Sequence, residues 1–471
     1  MAETEKAALA DRDALSLRDA NDDVRPDFVA LAAAAVEAGD KARVLELAGE
    51  LHESDLGDLI EALEHDLRPK LIELMGREFD FAALTEVEDV IREEILEELP
   101  TETIVEGVHE LESDDAITIL EDLPEAEQRQ VLDALPAGER IALRRSLDYP
   151  ENSAGRLMQT TMVTAPPFWT AGQTLDFIHD VNEDELPDSF FDVFVVDASH
   201  RFLGNVFLDA LVRARRTQTL QELMNTERHR VPATEDQEEV ARVFERYNLV
   251  SVPVVDAGDK LVGAITIDDI VDVIREEAEE DVKALGGVRA SEELADSVAW
   301  IARSRFTWLF VNLFTAFLAA GVVRLFEGSI EKMVALAVLV PIVCSQGGNA
   351  ATQTMTIAVR ALATRELNRN NAARVLRREV LVGLINGLGF GIITGVAAAI
   401  WFGLPLLGFV IALAMMINLA AGVLGGMLIP MVLERLDYDP AVASSPFVTT
   451  VTDVVGNLAF LGIATLAFHL V

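Results

Sequence analysis

The chain is poor in cysteine, in paired histidines and, over most of its length, in base. A single cysteine, Cys344, stands among 471 residues, so no intrachain disulfide framework exists. His52, His65 and His109 are isolated and no paired-histidine motif occurs, which leaves no catalytic spacing and predicts a protein that is not an enzyme. The opening stretch, MAETEKAALADRD, has no apolar run and is not a signal peptide, so the soluble part is expected in the cytoplasm. Base is the largest deficit. Lys and Arg total 38 against 79 Asp and Glu, a formal net charge of −41. Residues 301–471 hold 8 acids and 11 bases, which leaves 71 acids and 27 bases for residues 1–300. So negative a surface repels nucleic acid and anionic lipid and attracts cations. A halophile's solvated surface has the same composition.

Two regimes therefore share one polypeptide, an acidic soluble part followed by a membrane part. Residues 1–25 read as an acidic, flexible N-terminus. Residues 26–150 read as an all-α domain of short amphipathic helices, punctuated by Leu-Pro in EELPTE, EDLPEAEQ and DALPAGER. The weakly repeated units suggest a solenoid-like arrangement. Residues 151–270 carry an internal repeat. FVVDASHRFLGNVFLDAL, starting at Phe194, aligns without gaps to PVVDAGDKLVGAITIDDI, starting at Pro253, at an offset of 59 residues. Each copy predicts strand, turn, strand and helix start, an α/β unit.

Residues 271–302 read as an acidic connecting helix. Asp269, Asp272, Glu276, Glu279 and Glu280 fall within about 100° on a helical wheel. One stripe of like charge is unfavourable in isolation. It is either a solvated face or a cation-bridged contact.

Residues 303–471 contain five apolar stretches, at 306–323, near 333–359, 380–402 and 406–433, and from Pro446 to the end. In the last, Asp453 is the only acid, and an ionised carboxylate in hydrocarbon costs roughly 2.5–3.5 kcal/mol by the more lenient scales. Ser445, Thr449, Thr450 and Asn457 lie within about 80° of it on the wheel. A single polar stripe on an apolar helix describes a pore wall; a buried Asp bonded to a neighbouring helix is the structural alternative. The second stretch places Ser345, Asn349, Thr352, Gln353 and Thr356 on one face, and Pro341 with Gly347 and Gly348 would permit a local break in the helix. Gly383, Gly387, Gly391 and Gly395 form a packing ridge on the third. Asn386 and Asn418 read as interhelical hydrogen bonders. Arg303 and Arg305 precede the first stretch, and Arg360, Arg365, Arg369, Arg374, Arg377 and Arg378 fill the loop between the second and third. By the positive-inside rule the N-terminus is cytoplasmic and the C-terminus outside.

The repeat at 151–270 resembles a tandem pair of CBS domains. GAITIDD (263–269) is similar to the ribose-binding pattern of nucleotide-binding CBS domains, with Thr266 and Asp269 in the ribose positions, whereas the first copy, GNVFLDA, lacks both. Taken together, the order of parts resembles the MgtE family of magnesium channels and transporters. The most specific stretches are YPENSAGRLM (149–158), GGNAATQTMTIAVRALATREL (347–367) and PFVTTVTDVVG (446–456). The resemblance implies a homodimer in the cell membrane with its pore between the two membrane domains and Asp453 selecting Mg²⁺. Ser445, Thr449, Asn457 and Asn349 would line the pore, and Asp439 would lie near its cytoplasmic mouth. It also implies that cytosolic Mg²⁺ closes the pore by bridging acids, for which Asp268, Asp269, Glu276, Glu279 and Glu280 are the candidates, and that ATP is a possible ligand of the CBS pair. Oxygen donors suit a hard, largely hydrated ion. The competing readings are a Co²⁺ or Mn²⁺ transporter of the same architecture and a nucleotide-sensing regulator merely anchored in the membrane. A passive anchor would not need polar faces on two spans.

Topology is directly testable. In a protein with Cys344 replaced, Asn370→Cys should resist membrane-impermeant thiol reagents in intact cells while Val471→Cys reacts; labelling of the loop cysteine would reverse the orientation.

Overall fold

The computed structural model describes residues 16–182, 186–187, 189–226, 229–367, 370–436 and 438–469, leaving aside the side chains of 442–445. Part of the acidic N-terminal stretch, Arg369 and the side chain of Ser445 therefore lie outside the described residues. The chain forms two compact units, Met1–Glu276 and Glu277–Val471.

The first unit begins with nine α-helices among the described residues: α1 (Pro26–Glu37), α2 (Lys41–Ala48), α3 (Glu53–Ala62), α4 (Arg68–Met75), α5 (Asp89–Glu98), α6 (Thr101–Glu110), α7 (Ser113–Glu121), α8 (Glu125–Ala134) and α9 (Ala137–Leu147). Pro100, Pro124 and Pro136 are the N-cap residues of α6, α8 and α9. Proline has no N–H to leave unsatisfied and cannot continue the helix before it, so each Leu-Pro ends one helix and starts the next. One apolar core runs from Leu17 to Leu143. Residues 16–25 are not frayed: Leu17 is in that core, and Arg18 bonds Asp55 at 2.7 Å and pairs with Asp58.

After α10 (Ala154–Leu157) come β1 (Thr164–Ala165), α11 (Ala171–Asp180), β2 (Asp192–Val196), β3 (Phe202–Phe207), α12 (Leu208–Arg213) and α13 (Leu220–Leu223). The second copy is β4 (Val231–Pro232), α14 (Gln237–Tyr247), β5 (Ser251–Val255) and β6 (Leu261–Thr266). Each copy is a three-stranded sheet, one parallel and one antiparallel pair, in the orders β1-β2-β3 and β4-β5-β6. The offset of 59 residues holds in detail: Asp192 pairs with Phe207 and Ser251 with Thr266, and both ladders shift register after the same position, Val195 and Val254. A pseudo-twofold axis passes between Arg201 and Lys260, which bridge one another. The symmetry-related amides of Phe202 and Leu261 donate to the carbonyls of Asp259 and His200 at 3.1 and 3.0 Å. His200 and Asp259 both take left-handed backbone, φ 62° and 61°. Near this axis the buried Asp192 carboxylate accepts from Ser251, its own counterpart in the second copy, and from Asn205.

Helix α15 (Ile267–Leu285) is the connecting helix; its residues through Glu276 belong to the first unit and those from Glu277 to the second. It ends at Leu285 rather than continuing toward residue 302. Gly287, at φ +73°, turns the chain where a side chain would collide with the Trp308 ring, and residues 286–297 are non-helical.

The second unit consists of α16 (Val298–Arg324), α17 (Glu327–Lys332), α18 (Ala335–Ala363), α19 (Ala372–Phe402), α20 (Pro405–Arg435) and α21 (Pro440–Ala467). Five helices are long and apolar enough to span a membrane, α21 through its stretch from Pro446. They outrun the apolar stretches read from sequence because helical geometry continues through the charged flanks. Helix α20 is the hub, the most buried of the five, packed on α18, α19 and α21. The glycine ridge of α19 lies against it: a Cβ on Gly391 would stand 2.8 Å from Ala412 O, and one on Gly395 2.6 Å from Gly408 O. Small residues bring two backbones this close. Pro341 does not break α18, which is continuous from Ala335 to Ala363. The break that Gly347–Gly348 would permit is absent; Gly347 serves close packing against Asn418 instead.

Candidate metal centres

The first centre is the membrane carboxylate. Asp453 is half-buried on α21, with Thr449 exposed one turn before it. On α18, Ser345, Asn349, Thr352, Gln353 and Thr356 are all exposed, forming the single polar face expected. A Cβ on Gly348 would meet nothing within 4 Å, so the helix borders open space there. Cys344 Sγ lies 3.5 Å from Asn457 Oδ1, and Met355, Val359, Ala441 and Val448 share one apolar cluster. These contacts make α18 and α21 antiparallel and set Asp453 level with Gly348 and Asn349.

Two expectations change. Asn457 is 4% exposed and turned to Cys344, so it joins α21 to α18 rather than lining the open face. Thr450 gives its hydroxyl to Pro446 O at 2.6 Å, the back-bond a helical threonine makes when no better acceptor faces it. A thiol also stands beside the oxygen donors, since Cys344 is one turn from Gly348. Asp439 is exposed and caps α21, accepting from the Ala441 amide at 2.7 Å; its position before the helix accounts for that bond. Asn418 makes the interhelical bond expected of it, whereas Asn386 is exposed on α19.

The second centre is in the first unit, where the start of α15 meets α7. Asp269 Oδ2 accepts from Thr266 Oγ1 at 2.8 Å and from the Thr266 amide at 3.3 Å, so the two residues of the ribose-like pattern are bonded to one another. Asp114 bonds the same carboxylate, and its own Oδ1 is buried without a partner among the described residues. Burial, reinforced by Asp269, Asp115 and Glu112, drives the Asp114 carboxyl far above the usual carboxylate range. Burial chiefly, then the charges of Asp269, Glu112, Glu53 and Glu86, lifts Asp115 to about 7. Asp269 rises to about 6, again mainly by burial. Glu86 is raised by burial and by Asp272 and Glu53.

Of the acids predicted on α15, Asp269 is hydrogen-bonded within this cluster, and the charges of Asp268 and Asp272 act on Asp269 and Glu86. Asp268 is exposed, as are Glu276 and Glu279; Glu280 is half-buried; Asp272 pairs with Arg275 at 3.2 Å. The sequence did not reveal Glu53, Glu86, Glu112, Asp114 and Asp115. The run Glu-Ser-Asp-Asp at 112–115 was the available signal, but it also reads as acids favouring a helix N-terminus, which it is.

Among the described residues, no three His, Cys, Asp or Glu side chains are already gathered closely enough to hold a metal ion. The donors still fit a hard cation: they are oxygens, one is buried and unpartnered, and the strongest charges acting on Asp114 and Asp115 are carboxylates. Mg²⁺ needs only one or two of them, with the rest of its shell water.

Family models match three parts of the chain. Residues 340–463 match the family model described as MgtE, divalent cation transporter; 51–152 match the MgtE intracellular N domain; 220–276 match the CBS domain. The magnesium transporter MgtE of Bacillus subtilis is 31% identical over 364 residues, 77% of this chain and 80% of that protein. Its namesake in Thermus thermophilus is 35% identical over 347 residues, 73% and 75% of the two chains. The chain belongs to the MgtE family. The Enterococcus faecalis magnesium transporter MgtE is 33% identical over 69% of this chain and 71% of its own. A crystal structure of the cytosolic domain of the Mg²⁺ channel MgtE in complex with ATP covers 52% of this chain and 99% of its own, at 28% identity and TM-score 0.48. As a member of that family with five membrane-spanning helices, this is a multi-pass membrane protein.

The acidic cluster has a pH signature with a fixed sign. In the folded protein burial pushes the carboxyls of Asp115 and Asp269 up to about 7 and about 6, above the ordinary 3.8. Between those limits the folded protein holds protons that the unfolded chain has released, so metal-free stability falls as pH rises from about 4 to about 7, at about 1.4 kcal/mol per unit of displacement. Asp115→Asn should therefore raise the thermal midpoint by several degrees at pH 8 in EDTA and leave it unchanged at pH 4. A gain of equal size at both pH values would remove charge burial as the cause.

Proposed function

We propose that the chain is a Mg²⁺ channel for magnesium uptake, working as a homodimer and closed by cytosolic Mg²⁺. The observation that carries this is the uncovered polar face on α18 and α21, at the level of Asp453, within membrane-spanning helices. Polar groups do not face lipid without cost, so they face water or another protein surface. A second copy brought up to the same face would cover it and enclose an aqueous path, with two Asp453 carboxylates across a twofold axis. Asn349, Thr449 and Thr352 would contact the ion through its water, and the Asp453 pair would supply the negative charge that admits a divalent cation. The N-terminus lies in the cytoplasm on this reading, with the arginine-rich loop on the same side.

The switch is the α7–α15 cluster. Two carboxylates about 6 Å apart repel by roughly 3 kcal/mol at an effective dielectric near 20. Mg²⁺ held by Asp114, Asp115 and Asp269 would relieve several such pairs, of the order of the ~5.5 kcal/mol that swings an equilibrium from 1:99 to 99:1. Asp269 is also the residue an ATP ribose would need. Nucleotide at Thr266 and Asp269 would have to displace the bonds between them, which links ATP binding to the cation cluster.

Uptake in cells lacking their own magnesium transporters tests the pore. Asp453→Ala and Asp453→Asn should fall to background with normal expression and insertion, and Thr449→Ala should lose only part of the flux; near-parental uptake by Asp453→Asn ends the pore assignment. Closure is tested by limited proteolysis across Ile274–Ala290 at rising Mg²⁺ in constant high monovalent salt, which removes plain screening. Protection should appear over a narrow range and move several-fold higher in Mg²⁺ for Asp115→Asn and for the triple Gln variant at Glu276, Glu279 and Glu280. Cleavage indifferent to Mg²⁺ would mean that the acidity is only solvation.

A further inference from the structure

Asn418 is fully buried in the middle of α20. Its Nδ2 donates to the Val343 carbonyl of α18 at 2.8 Å, and its Oδ1 meets no donor among the described residues. Membrane-buried amides without a full set of partners are uncommon, and an apolar residue would avoid the deficit. The surroundings explain the amide. Gly347 of α18 and Gly456 of α21 both face it: a Cβ on Gly347 would overlap the amide nitrogen, and one on Gly456 would lie 2.6 Å from it. The three nearest atoms to each absent Cβ all belong to Asn418. One flat carboxamide thus fills the notch left by two glycines on two different helices.

The notch is part of a repeating contact. Along α20, Gly422 approaches Gly347 O at 2.7 Å from its absent Cβ, and Gly426 lies against Ala351 O. Asn418, Gly422 and Gly426, spaced by four, thus track the carbonyls of Val343, Gly347 and Ala351, also spaced by four. The glycines permit sliding and rotation; a directional hydrogen bond does not. Only Asn418 in this row makes such a bond. Gly347 is two residues from Asn349, and Gly456 is three from Asp453. A helix turned by one residue rotates its side chains by about 100°, enough to carry Asn349 or Asp453 off the polar face.

We propose that Asn418 is a positioning residue for ion selection: its carboxamide locks the rotation of α18 and α21 against α20, so that Asn349 and Asp453 stay on a common face. The inference rests on the reading of that face as the pore wall.

The test is a suppression experiment on the full chain, purified and reconstituted in liposomes, with Cys344 replaced. Gly347→Ala and Gly456→Ala should each cut Mg²⁺ flux at least tenfold. Adding Asn418→Ala, which vacates the space each new methyl invades, should restore flux to within a few-fold of Asn418→Ala alone. Asn418→Ala by itself should stay folded, retain flux, and lower the Mg²⁺-over-Ca²⁺ ratio about tenfold; Asn418→Ser, which keeps a donor, should recover part of that ratio. Asn386→Ala, removing an intramembrane amide outside the notch, should match the parent. Spin labels at Thr352→Cys and Thr449→Cys report the helix geometry independently of transport, and their distance distribution should broaden in Asn418→Ala. Parental selectivity with an unchanged distribution in Asn418→Ala overturns the proposal, as does a failure of Asn418→Ala to suppress either glycine variant. If Asn418→Ala does not fold, the same criteria apply to Asn418→Ser. Should the distances respond while Asp453→Asn still conducts, the positioning holds and the pore reading is what fails.

Discussion

Carboxylates held where the strongest neighbouring charges are other carboxylates are the constraint on which the first unit depends. In water a surface acid is neutral to stability, because solvent screens it. Asp114, Asp115 and Asp269 are not in that position: burial lifts all three, neighbouring carboxylates add to it at Asp114 and Asp115, and at Asp269 the hydrogen bonds from Thr266 and Asp114 offset part of it. The first unit can keep this arrangement because it spends its bases elsewhere. Arg18 serves Asp55 and Asp58, and Arg92 serves Asp89 and Asp122, ion pairs that fasten the helical domain. Asp114, Asp115 and Asp269 have no such arginine among their leading influences. Under the function proposed above, a cation arriving there would relieve the repulsion.

The membrane unit solves the opposite problem. Helices in lipid gain little from burying apolar side chains against each other, so packing and hydrogen bonds must hold them. Helix α20 provides both. Its small residues accept the glycine ridge of α19 on one side and the carbonyls of α18 on another, which leaves α18 and α21 free to carry polar side chains on the face away from it. Helix α16 contrasts with this: Ser304 and Ala319 are its buried residues, and Phe306, Phe310, Phe314 and Phe317 are exposed, the pattern of a lipid-facing helix.

Much of this was legible in the sequence because it depends on local chemistry. Span length, the arginine-rich loop and the glycine ridge follow from composition and spacing. The repeat is reproduced down to paired bulges, left-handed residues and a bridge between equivalent positions. The failures share one cause, that tertiary contact decides between two local options. Pro341 and Gly347 offer a kink or a close crossing, and only the presence of Asn418 and Gly422 chooses the crossing. Asn457 is on the polar side of a wheel but within reach of Cys344 on another helix. The acids of α3 and α7 could not be joined to Asp269 by any spacing, since nearly all of the sequence between Asp115 and Asp269 intervenes. The connecting helix was read as too long because its acidic pattern continues into Glu292 and Glu293, where Gly286 and Gly287 have already turned the chain.

The same chemistry recurs at both centres, and that recurrence bears on which ion is involved. A site made to strip a metal of its water gathers three or more donors around one point, and the described residues hold no such gathering. What they hold is charge at a distance: one carboxylate per chain in the membrane, and a loose group of acids at α7 and α15. Zinc and copper would gain little at the acids of α7 and α15, because their affinity comes from direct nitrogen and sulfur bonds. Ca²⁺ would lack the six to eight oxygens it coordinates. A small ion that keeps its water loses little by the absence of a cage and gains the full electrostatic relief. Under the function proposed above, cargo and signal are one species, selected at pathway and sensor alike by charge density rather than by ligand geometry.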